Sequence, residues 1–280
     1  MPHALNVAQC LKEADSLVCS SDTARLDAEV MLCKILSRPR SYLYSHPEYV
    51  LNEQEKNRFF EFVARRKDGE PIAHITGEKE FWSLSLQVDN STLIPRPETE
   101  LLVETALGLL TDKPQAILDL GTGSGAIALA LASERPLWQI FAVDRCVRAL
   151  QIANKNCRKL ELKNVEIYQS FWFDKITNKN FDLIVSNPPY IDKNDSHLSE
   201  GDVRFEPHSA LVADKAGLAD IQHIIFTSRA YLNECGWLML EHGFEQAESV
   251  RSIFTENNFY RVKTLQDLAG LDRVTLGQMK

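Results

Sequence analysis

A four-residue segment of this 280-residue chain presents hydrogen-bond acceptors, and two of its residues are prolines, whose carbonyls come without a competing backbone N–H. This acceptor segment comprises Asn187, Pro188, Pro189 and Tyr190, and it closes the apolar run 181–186. The Asn187 side-chain oxygen and the Pro188 carbonyl can each accept one N–H of an NH2 group. The prolines fix the backbone and bring no N–H of their own, while Tyr190 offers a flat face for stacking. The segment predicts a site that holds a planar amide or aromatic amino group.

Upstream, residues 119–125 form a glycine loop between an apolar strand, 116–120, and a helix that includes 127–132. A loop from strand to helix is the geometry of a nucleotide-binding crevice. A dinucleotide fingerprint needs glycine where this chain has Ala126, so pyrophosphate binding is disfavoured. Glycines also allow close approach of an uncharged ribose and a methionine moiety. The loop reads Asp119, Leu120, Gly121, Thr122, Gly123, Ser124 and Gly125.

Two acids lie at the ends of the predicted strands. The second strand, 138–144, ends in Asp144, nineteen residues past Gly125. At this offset we expect Asp144 to accept hydrogen bonds from both ribose hydroxyls rather than to be a merely solvated carboxylate. Asp119 ends the first strand, and it either binds the methionine end of a cofactor or orients the glycine loop.

Together, the glycine loop and the acceptor segment predict methyl transfer from S-adenosylmethionine to a planar nitrogen. Such a nitrogen shares its lone pair and is a poor nucleophile, so it must be positioned. Each neutral hydrogen bond contributes only about 0.5–1.5 kcal/mol, whereas effective molarity can supply roughly 7–11 kcal/mol. The alternative interpretation, a simple turn that ends a strand, is weaker for a segment in this context.

The chain resembles the release-factor glutamine methyltransferases, bacterial enzymes that use S-adenosylmethionine to methylate the side-chain amide of glutamine. The similarity runs nearly from end to end and includes, besides the glycine loop and the acceptor segment, residues 65–77, 80–82, 94–100, 204–207, 241–243 and 272–277.

The resemblance implies the roles of particular residues. The cofactor site falls on Gly121, Thr122, Gly123, Ser124, Gly125, Asp144, Trp172 and Asn187. The substrate is the glutamine in the Gly-Gly-Gln loop of peptide chain release factors. Its binding site falls on the acceptor segment, in which Asn187, Pro188 and Tyr190 are implied to be catalytic. The stacking of Trp172 on adenine rests on the resemblance, because bulky residues after a strand are more often core. Phe171 stands where the family commonly has an acid, which removes a polar contact to adenine but not the stacking.

Length and composition bound the fold and the partners. A chain of 280 residues suggests two domains. We expect a helical substrate-recognition domain at 1–72, a β-hairpin linker at 73–92 and a Rossmann-like, doubly wound α/β methyltransferase domain at 93–280. The helical domain includes a helix that begins at Asn52, with Glu55 as its capping-box partner. Residues 72–92 have a strand-like pattern.

The charge balance, 31 basic against 39 acidic residues with a net charge of −8, disfavours duplex nucleic acid as the direct substrate and favours a basic, flexible protein. We expect a cytoplasmic monomer without a membrane span. The six cysteines, Cys19 among them, have neither zinc-site nor disulfide spacing, so no metal is expected.

Several alternatives stay open. The same tetrapeptide would serve glutamine methylation of a ribosomal protein, or an N6-adenine or N2-guanine nucleic-acid methyltransferase, and a non-catalytic cofactor-binding scaffold would share the glycine loop. Arg96 could reach the mouth of the site, whereas Glu98 could simply favour the start of the following helix. His74 and His242 have no assigned role, since a lone histidine is more often structural and this chemistry needs no imidazole.

Overall fold

The structure, a computed structural model, describes residues 5–17, 21, 23–177, 180–199 and 201–280. The chain divides into two compact units. The helical unit contains Met1–Glu78 and Ser199–Phe205, and the sheet unit contains Lys79–Leu198 and Glu206–Lys280. The domain limits predicted from the sequence, at 72 and 92, stay a prediction.

The helical unit follows the apolar periodicity of its sequence. Its α-helices are α1 (Val7–Lys12), α2 (Ala24–Leu36), α3 (Arg40–Ser45), α4 (Glu53–Lys67) and α5 (Ile72–Thr76). The predicted start of α4 is confirmed, because the Asn52 side chain accepts from Glu55 N at 2.9 Å and the Glu55 side chain accepts from Asn52 N at 2.9 Å. Phe59, Phe62 and Val63 recur at helical spacing on α4 and are buried in the core of this unit.

A buried ion pair joins elements of the helical unit that lie far apart in the sequence. Arg66 on α4 donates to Asp27 on α2 at 2.7 Å and to Asp202 at 3.1 Å. Arg204 also donates to the carbonyl of Asp68 at 2.8 Å. These contacts hold Asp202 and Arg204 on the rest of the helical unit, and the spacing of the sequence did not predict them.

The strand-like pattern predicted from residue 72 is wrong at its start, because Ile72–Thr76 is the helix α5. Pro71 precedes the helix with a fixed φ, the Thr76 hydroxyl donates back to the Ile72 carbonyl at 2.9 Å, and Gly77 ends the helix at φ 72°. The predicted hairpin is present further along as the strands β1 (Glu78–Phe81) and β2 (Leu84–Gln87).

The sheet unit alternates strands and helices as predicted. Its further strands are β3 (Ala116–Leu120), β4 (Gln139–Asp144), β5 (Val165–Gln169), β6 (Phe181–Ser186), β7 (Ile191–Asp192), β8 (Val212–Ala213), β9 (Leu232–Glu241), β10 (Tyr260–Gln266) and β11 (Asp272–Gln278). Its helices are α6 (Glu100–Leu109), α7 (Ala126–Glu134), α8 (Val147–Lys159), α9 (His208–Leu211), α10 (Ala219–Ser228) and α11 (Ala247–Glu256). The sequence did not predict β10.

Within the described residues, seven strands form one sheet in the order β10-β11-β9-β6-β3-β4-β5. β11 pairs antiparallel with β9 and β10, and the other pairs are parallel. The order reverses at β3, which has β4 on one side and β6 on the other. Ligands bind at such a switch point, outside the carboxyl ends of the strands. The predicted doubly wound fold is confirmed.

Both faces of this sheet are covered, which explains the nearly continuous apolar character of its central strands. On β6, Leu183 and Val185 pack into one core cluster with residues of α6 and α7, while Ile184 packs into the other with residues of α10 and α11. Among the described residues, no helix is both long and apolar enough to cross a membrane. The described cysteines are free, and Cys19 lies outside the described residues.

Candidate active site

A pocket opens at the carboxyl ends of β3, β4 and β6, at the switch point of the sheet. The polar and glycine residues that line it include Ser91, Thr92, Thr99, Gly121, Thr122, Gly123, Ser124, Asp144, Arg145, Ser170, Asn187 and Asp220. Its apolar lining includes Leu93, Ile127, Phe171, Trp172 and Pro189. The structure therefore brings the glycine loop and the start of the acceptor segment to one cavity within the sheet unit.

The glycine loop is held by backbone hydrogen bonds to the neighbouring strand. The amides of Gly121 and Thr122 both donate to the Val143 carbonyl, at 2.9 Å each. Gly121 has φ 73° and Gly125 has φ 88°, conformations that glycine adopts without strain. A Cβ on Gly125 would also lie 2.9 Å from a side-chain carbon of Leu129. Gly125 thus shapes the start of α7, although it does not line the pocket.

Asp119 is fully buried beneath this loop. Its Oδ2 accepts from the Thr122 hydroxyl at 2.7 Å, while Oδ1 has no hydrogen-bond partner among the described residues. Burial, with a smaller contribution from the negative charge of Asp144, raises the pKa of Asp119 to about 7, and the Thr122 hydrogen bond opposes this rise. Of the two roles predicted for Asp119, these contacts favour the orientation of the glycine loop.

Asp144 lies at the end of β4, as predicted, and lines the pocket. Its Oδ2 accepts from Gly123 N at 3.0 Å, and its Oδ1 accepts from Cys146 N at 2.8 Å. Burial raises the pKa of this carboxyl, and the two backbone hydrogen bonds oppose that rise. Each carboxylate oxygen can accept more than one hydrogen bond, so Asp144 retains acceptor capacity for a ligand.

Two aromatic residues follow β5 at the pocket. Trp172 is 9% exposed, and its indole nitrogen donates to Asp220 at 3.2 Å. A Cβ on Gly121 would lie 3.4 Å from the Trp172 ring, so the loop glycine keeps close contact with the indole. Phe171 is half exposed, and the Arg145 guanidinium lies 5.9 Å from the centre of its ring. The pocket has an aromatic wall with a carboxylate, Asp220, beside it.

The acceptor segment follows β6 directly. The Asn187 amide nitrogen donates to the Thr99 hydroxyl at 3.2 Å. This hydrogen bond does not use the Asn187 side-chain oxygen. Asn187 and Pro189 line the pocket, whereas Pro188 is buried and Tyr190 does not line it. The Tyr190 hydroxyl instead donates to Glu241 at 3.2 Å. Of the four residues of the segment, Asn187 therefore brings a polar side chain to the cavity.

Two residues far along the chain hold the backbone of the acceptor segment. The Gln246 amide nitrogen donates to the carbonyls of Tyr190 and Ala216, at 3.0 and 3.1 Å, and its oxygen accepts from Gly243 N at 2.9 Å. Gly217 has φ 80°, and a Cβ there would lie 2.0 Å from the Tyr190 carbonyl oxygen. The exit from the segment is thus fixed by a side-chain clamp and by a close backbone approach.

Glu241 ends β9 and is 1% exposed. Burial raises its pKa to about 7, while hydrogen bonds from Thr99 and Tyr190 and the charge of Arg273 oppose that rise. Burial raises the pKa of Tyr190, and the negative charge of Glu241 adds to this rise. Glu241 Oε2 has no hydrogen-bond partner among the described residues.

The remaining candidates have structural contacts. Arg96 pairs with the buried carboxyl of Glu206, whose second oxygen accepts from Ile94 N at 3.2 Å. His242 is buried, with one ring nitrogen 2.8 Å from the Thr275 hydroxyl and the other 2.9 Å from the Gly243 carbonyl. Burial lowers the pKa of His242.

Glu98 is exposed, and His74 lies on α5 in the helical unit.

The residue pattern alone predicts no role for Thr99, Asp220, Glu241 or Gln246. Thr99 and Glu241 lie in segments that carry the resemblance, and this was the signal that could have drawn attention to them. Asp220 and Gln246 had no such signal, because only the folded chain brings them to the pocket and to the acceptor segment.

Two family models match the chain. The PrmC N-terminal domain matches residues 6–77, and the methyltransferase small domain matches residues 97–203. The latter covers the glycine loop, Asp144 and the acceptor segment. The two models thus match separate regions, one in the helical unit and one mostly in the sheet unit.

Curated relatives match most of the chain. The release factor glutamine methyltransferase of Aliivibrio fischeri is 54% identical over 259 residues, covering 92% of this chain and 91% of that protein. The release factor glutamine methyltransferase of Escherichia coli is 50% identical over 268 residues, covering 96% of this chain and 97% of that protein.

Solved structures share the fold at low sequence identity. A methyltransferase from Pyrococcus furiosus has a TM-score of 0.54 at 16% identity, covering 81% of this chain and 98% of that one. A 16S rRNA N2 G1207 methyltransferase from Thermus thermophilus has a TM-score of 0.53 at 18% identity, covering 72% of this chain and 50% of that one. At 50–54% identity over nearly the whole length, the curated relatives decide the family: this chain belongs to the release factor glutamine methyltransferases.

Proposed function

We propose that this chain transfers a methyl group from S-adenosylmethionine to the side-chain amide nitrogen, N5, of the glutamine in the Gly-Gly-Gln loop of peptide chain release factors. The observation that carries the proposal is the position of Asn187, whose amide lies in the same pocket as the glycine loop and Asp144. Relatives that share most of the sequence bear the name of this activity.

The residues of the pocket fit S-adenosylmethionine. The loop glycines at positive φ allow close approach of a ligand, and the carboxylate of Asp144 suits a ribose diol as hydrogen-bond donor. Apolar side chains beside them, Leu93, Ile127 and Phe171, suit an adenine ring or a methionine chain. In the proposal, Gly121 to Ser124, Asp144, Trp172 and Asn187 contact the cofactor, and Gly125 contributes by shaping the end of the loop.

When bound, S-adenosylmethionine supplies an electrophilic methyl group. Asn187 Oδ1 and the Pro188 carbonyl each accept one N–H of the glutamine amide and so aim its nitrogen lone pair. Pro188 and Pro189 carry no backbone N–H, so neither proline adds a backbone donor that competes for those acceptors. The nitrogen forms its bond to the methyl carbon as the carbon–sulfur bond breaks, and the methylated nitrogen then releases a proton. Positioning by the acceptor segment is the main contribution of the chain.

The finer parts of the proposal concern the partner and the setting. The helical unit contacts the release factor, and the net charge of −8 favours a basic, flexible protein segment over nucleic acid. In the proposal the enzyme acts as a monomer. Since the substrates are factors of translation, the enzyme acts in the cytoplasm.

Intact-protein mass spectrometry tests the choice of substrate. The protein is incubated with S-adenosylmethionine and, in separate reactions, with a release factor, the same factor with its loop Gln→Ala, a ribosomal protein and DNA. We expect a gain of one methyl group in the unmodified factor alone. Transfer to the ribosomal protein or to DNA would show that the substrate proposed here is wrong. Binding of S-adenosylmethionine without transfer to any acceptor would favour a non-catalytic cofactor-binding scaffold.

A further inference from the structure

Among the described residues, two carboxylates line the pocket, Asp144 at the end of β4 and Asp220 in the first turn of α10. Asp220 is half-buried, and its Oδ1 accepts from the Trp172 indole nitrogen at 3.2 Å. Each carboxylate oxygen can accept more than one hydrogen bond, so Asp220 can bind a further donor. The helix dipole favours an acid in a first turn, but this preference does not account for the place of Asp220 in the pocket wall.

A run of side chains leads from Asp144, which suits a ribose diol, to Asp220. Arg145 follows Asp144 in the chain, and its guanidinium lies 5.9 Å from the centre of the Phe171 ring. The ring centres of Phe171 and Trp172 are 6.0 Å apart, and the Trp172 indole then bonds to Asp220. In an adenosyl group the base is attached directly to the ribose. Aromatic side chains next to the ribose acid therefore suit the base, and Asp220 lies among them.

The indole that contacts Asp220 is held in place from several sides. Trp172 has φ 44°, which lies in the left-handed region that bulky residues rarely adopt. The Ser170 hydroxyl donates to the Trp172 carbonyl at 2.9 Å and accepts from Lys175 N at 3.0 Å. A Cβ on Gly121 would lie 3.4 Å from the six-membered ring of the indole. Asp220 thus has a fixed hydrogen-bond donor, and this donor sets the position of its carboxylate in the pocket.

We propose that Asp220 is a specificity-determining residue for the cofactor: its Oδ2 accepts an N–H of the exocyclic amino group, N6, of adenine. The inference rests on the proposed function, because it concerns the base of the cofactor proposed for this pocket. The hypoxanthine ring of an inosine derivative has a carbonyl oxygen in place of that amino group. A carboxylate attracts the amino group and repels the carbonyl oxygen. Since the Phe171 ring brings no hydrogen-bond acceptor, Asp220 supplies the acceptor of the aromatic wall.

Titration calorimetry with S-adenosylhomocysteine and S-inosylhomocysteine tests this role without any methyl acceptor. The two ligands differ in the base, which carries the amino group in the first and the carbonyl oxygen in the second. We expect the unmodified protein to bind the adenosyl ligand about 10- to 100-fold more tightly, the range that corresponds to a hydrogen bond with a charged group. Asp220→Asn keeps the shape of the side chain but has both an acceptor and a donor, so the preference should fall to within about threefold.

Glu248→Gln is the matched control for this variant. Glu248 is an exposed acid in the first turn of α11 and does not line the pocket. The substitution removes one negative charge near a helix start, as Asp220→Asn does. The dissociation constants of both ligands, and hence the preference, should stay as in the unmodified protein.

Asp220→Ala carries the test if Asp220→Asn fails to fold, and it also shows which end of the ligand Asp220 contacts. 5′-Methylthioadenosine has the adenosine but lacks the amino-acid chain. Asp220→Ala should weaken this ligand by the same factor as S-adenosylhomocysteine. Weakening of S-adenosylhomocysteine alone would place Asp220 at the ammonium group of the amino-acid chain and overturn its role toward the base.

Further outcomes overturn the role of Asp220. Equal affinity of the unmodified protein for the adenosyl and inosyl ligands would do so, as would a preference that Asp220→Asn retains. If Asp220→Asn weakened both ligands equally, orientation of Trp172 would explain the effect. Loss of the preference in Glu248→Gln would show that net charge is the cause.

The proposed function fails in a different way. A protein that prefers the adenosyl ligand but transfers no methyl group to a release factor would overturn the proposed substrate and support the role of Asp220. A protein that binds neither S-adenosylmethionine nor S-adenosylhomocysteine would overturn both proposals.

Discussion

The glycine loop and the acceptor segment lie at the same edge of the sheet, but they are held in different ways. Backbone amides and residues within 119–146 fix the glycine loop, through the Val143 carbonyl and the Asp144 carboxylate. Side chains distant in the sequence fix the acceptor segment, namely Thr99, Glu241 and Gln246. Contacts between residues close in the sequence therefore hold the loop proposed to bind the cofactor, and contacts between residues distant in the sequence hold the segment proposed to bind the methyl acceptor.

This difference predicts that cofactor binding and methyl transfer can be impaired separately. Variants on the acceptor side should lower turnover with little change in cofactor affinity. Variants on the loop side should do the reverse.

The largest effect is expected for Asn187→Ala. Loss of the amide oxygen leaves one N–H of the glutamine without its acceptor and the nitrogen poorly aimed, so turnover should fall about 100-fold or more. Steady-state kinetics with a release factor measure this loss, and calorimetry should show only a modest loss of affinity for S-adenosylmethionine. Unchanged turnover would remove Asn187 from the site.

Asp144→Ala should give the opposite pattern. Hydrogen bonds to a charged group contribute about 1.5–3 kcal/mol, so its loss should weaken cofactor binding roughly 10- to 100-fold. Titration calorimetry measures the dissociation constant. Asp144→Asn is the control that keeps the shape without the charge, and a normal dissociation constant in both variants would exclude the ribose role.

Gln246→Ala sharpens the comparison, because the hydrogen bonds of this side chain go to the backbone of Tyr190, Ala216 and Gly243. The variant leaves the Tyr190 and Ala216 carbonyls without this donor and should cost about 1–3 kcal/mol of stability. We expect a severalfold lower kcat and an unchanged dissociation constant for the cofactor. Urea unfolding and kinetics test this, and an equal loss of cofactor affinity would show that the two regions are not separable.

The smallest effect concerns the buried acid beneath the glycine loop. Burial raises the pKa of Asp119 from an ordinary value of 3.8 to about 7, so between these values the folded state binds more protons than the unfolded state. Its contribution to stability is therefore present at low pH and lost as pH rises to about 7. Since His242 contributes in the opposite sense, the test is the difference between the unmodified protein and Asp119→Asn.

Urea unfolding at pH 5 and pH 7.5 measures that difference. The stability of the unmodified protein relative to Asp119→Asn should decrease from the lower to the higher pH. A relative stability that does not change between the two would show that Asp119 titrates as an ordinary carboxyl.

The same contrast explains what the sequence could predict. The strand, the glycines and Asp144 occupy one short stretch, so spacing alone predicts their meeting at one pocket. The acceptor segment could be recognised by its residue types. Glu241 could not be placed beside it, because it lies 54 positions beyond Asn187 and is brought near the segment by the pairing of β9 with β6. The helix at Ile72–Thr76 was missed because apolar residues so close to a hairpin fit a strand pattern equally well.

Tandem mass spectrometry of a release factor, methylated with S-adenosylmethionine that carries a deuterated methyl group, tests the central claim most directly. Fragmentation locates the label on a residue and on an atom. We predict one labelled methyl group on the side-chain nitrogen of the Gly-Gly-Gln glutamine, and its absence in the reaction with Asn187→Ala. A label on another residue, or on that glutamine with equal yield in the variant, would contradict the account.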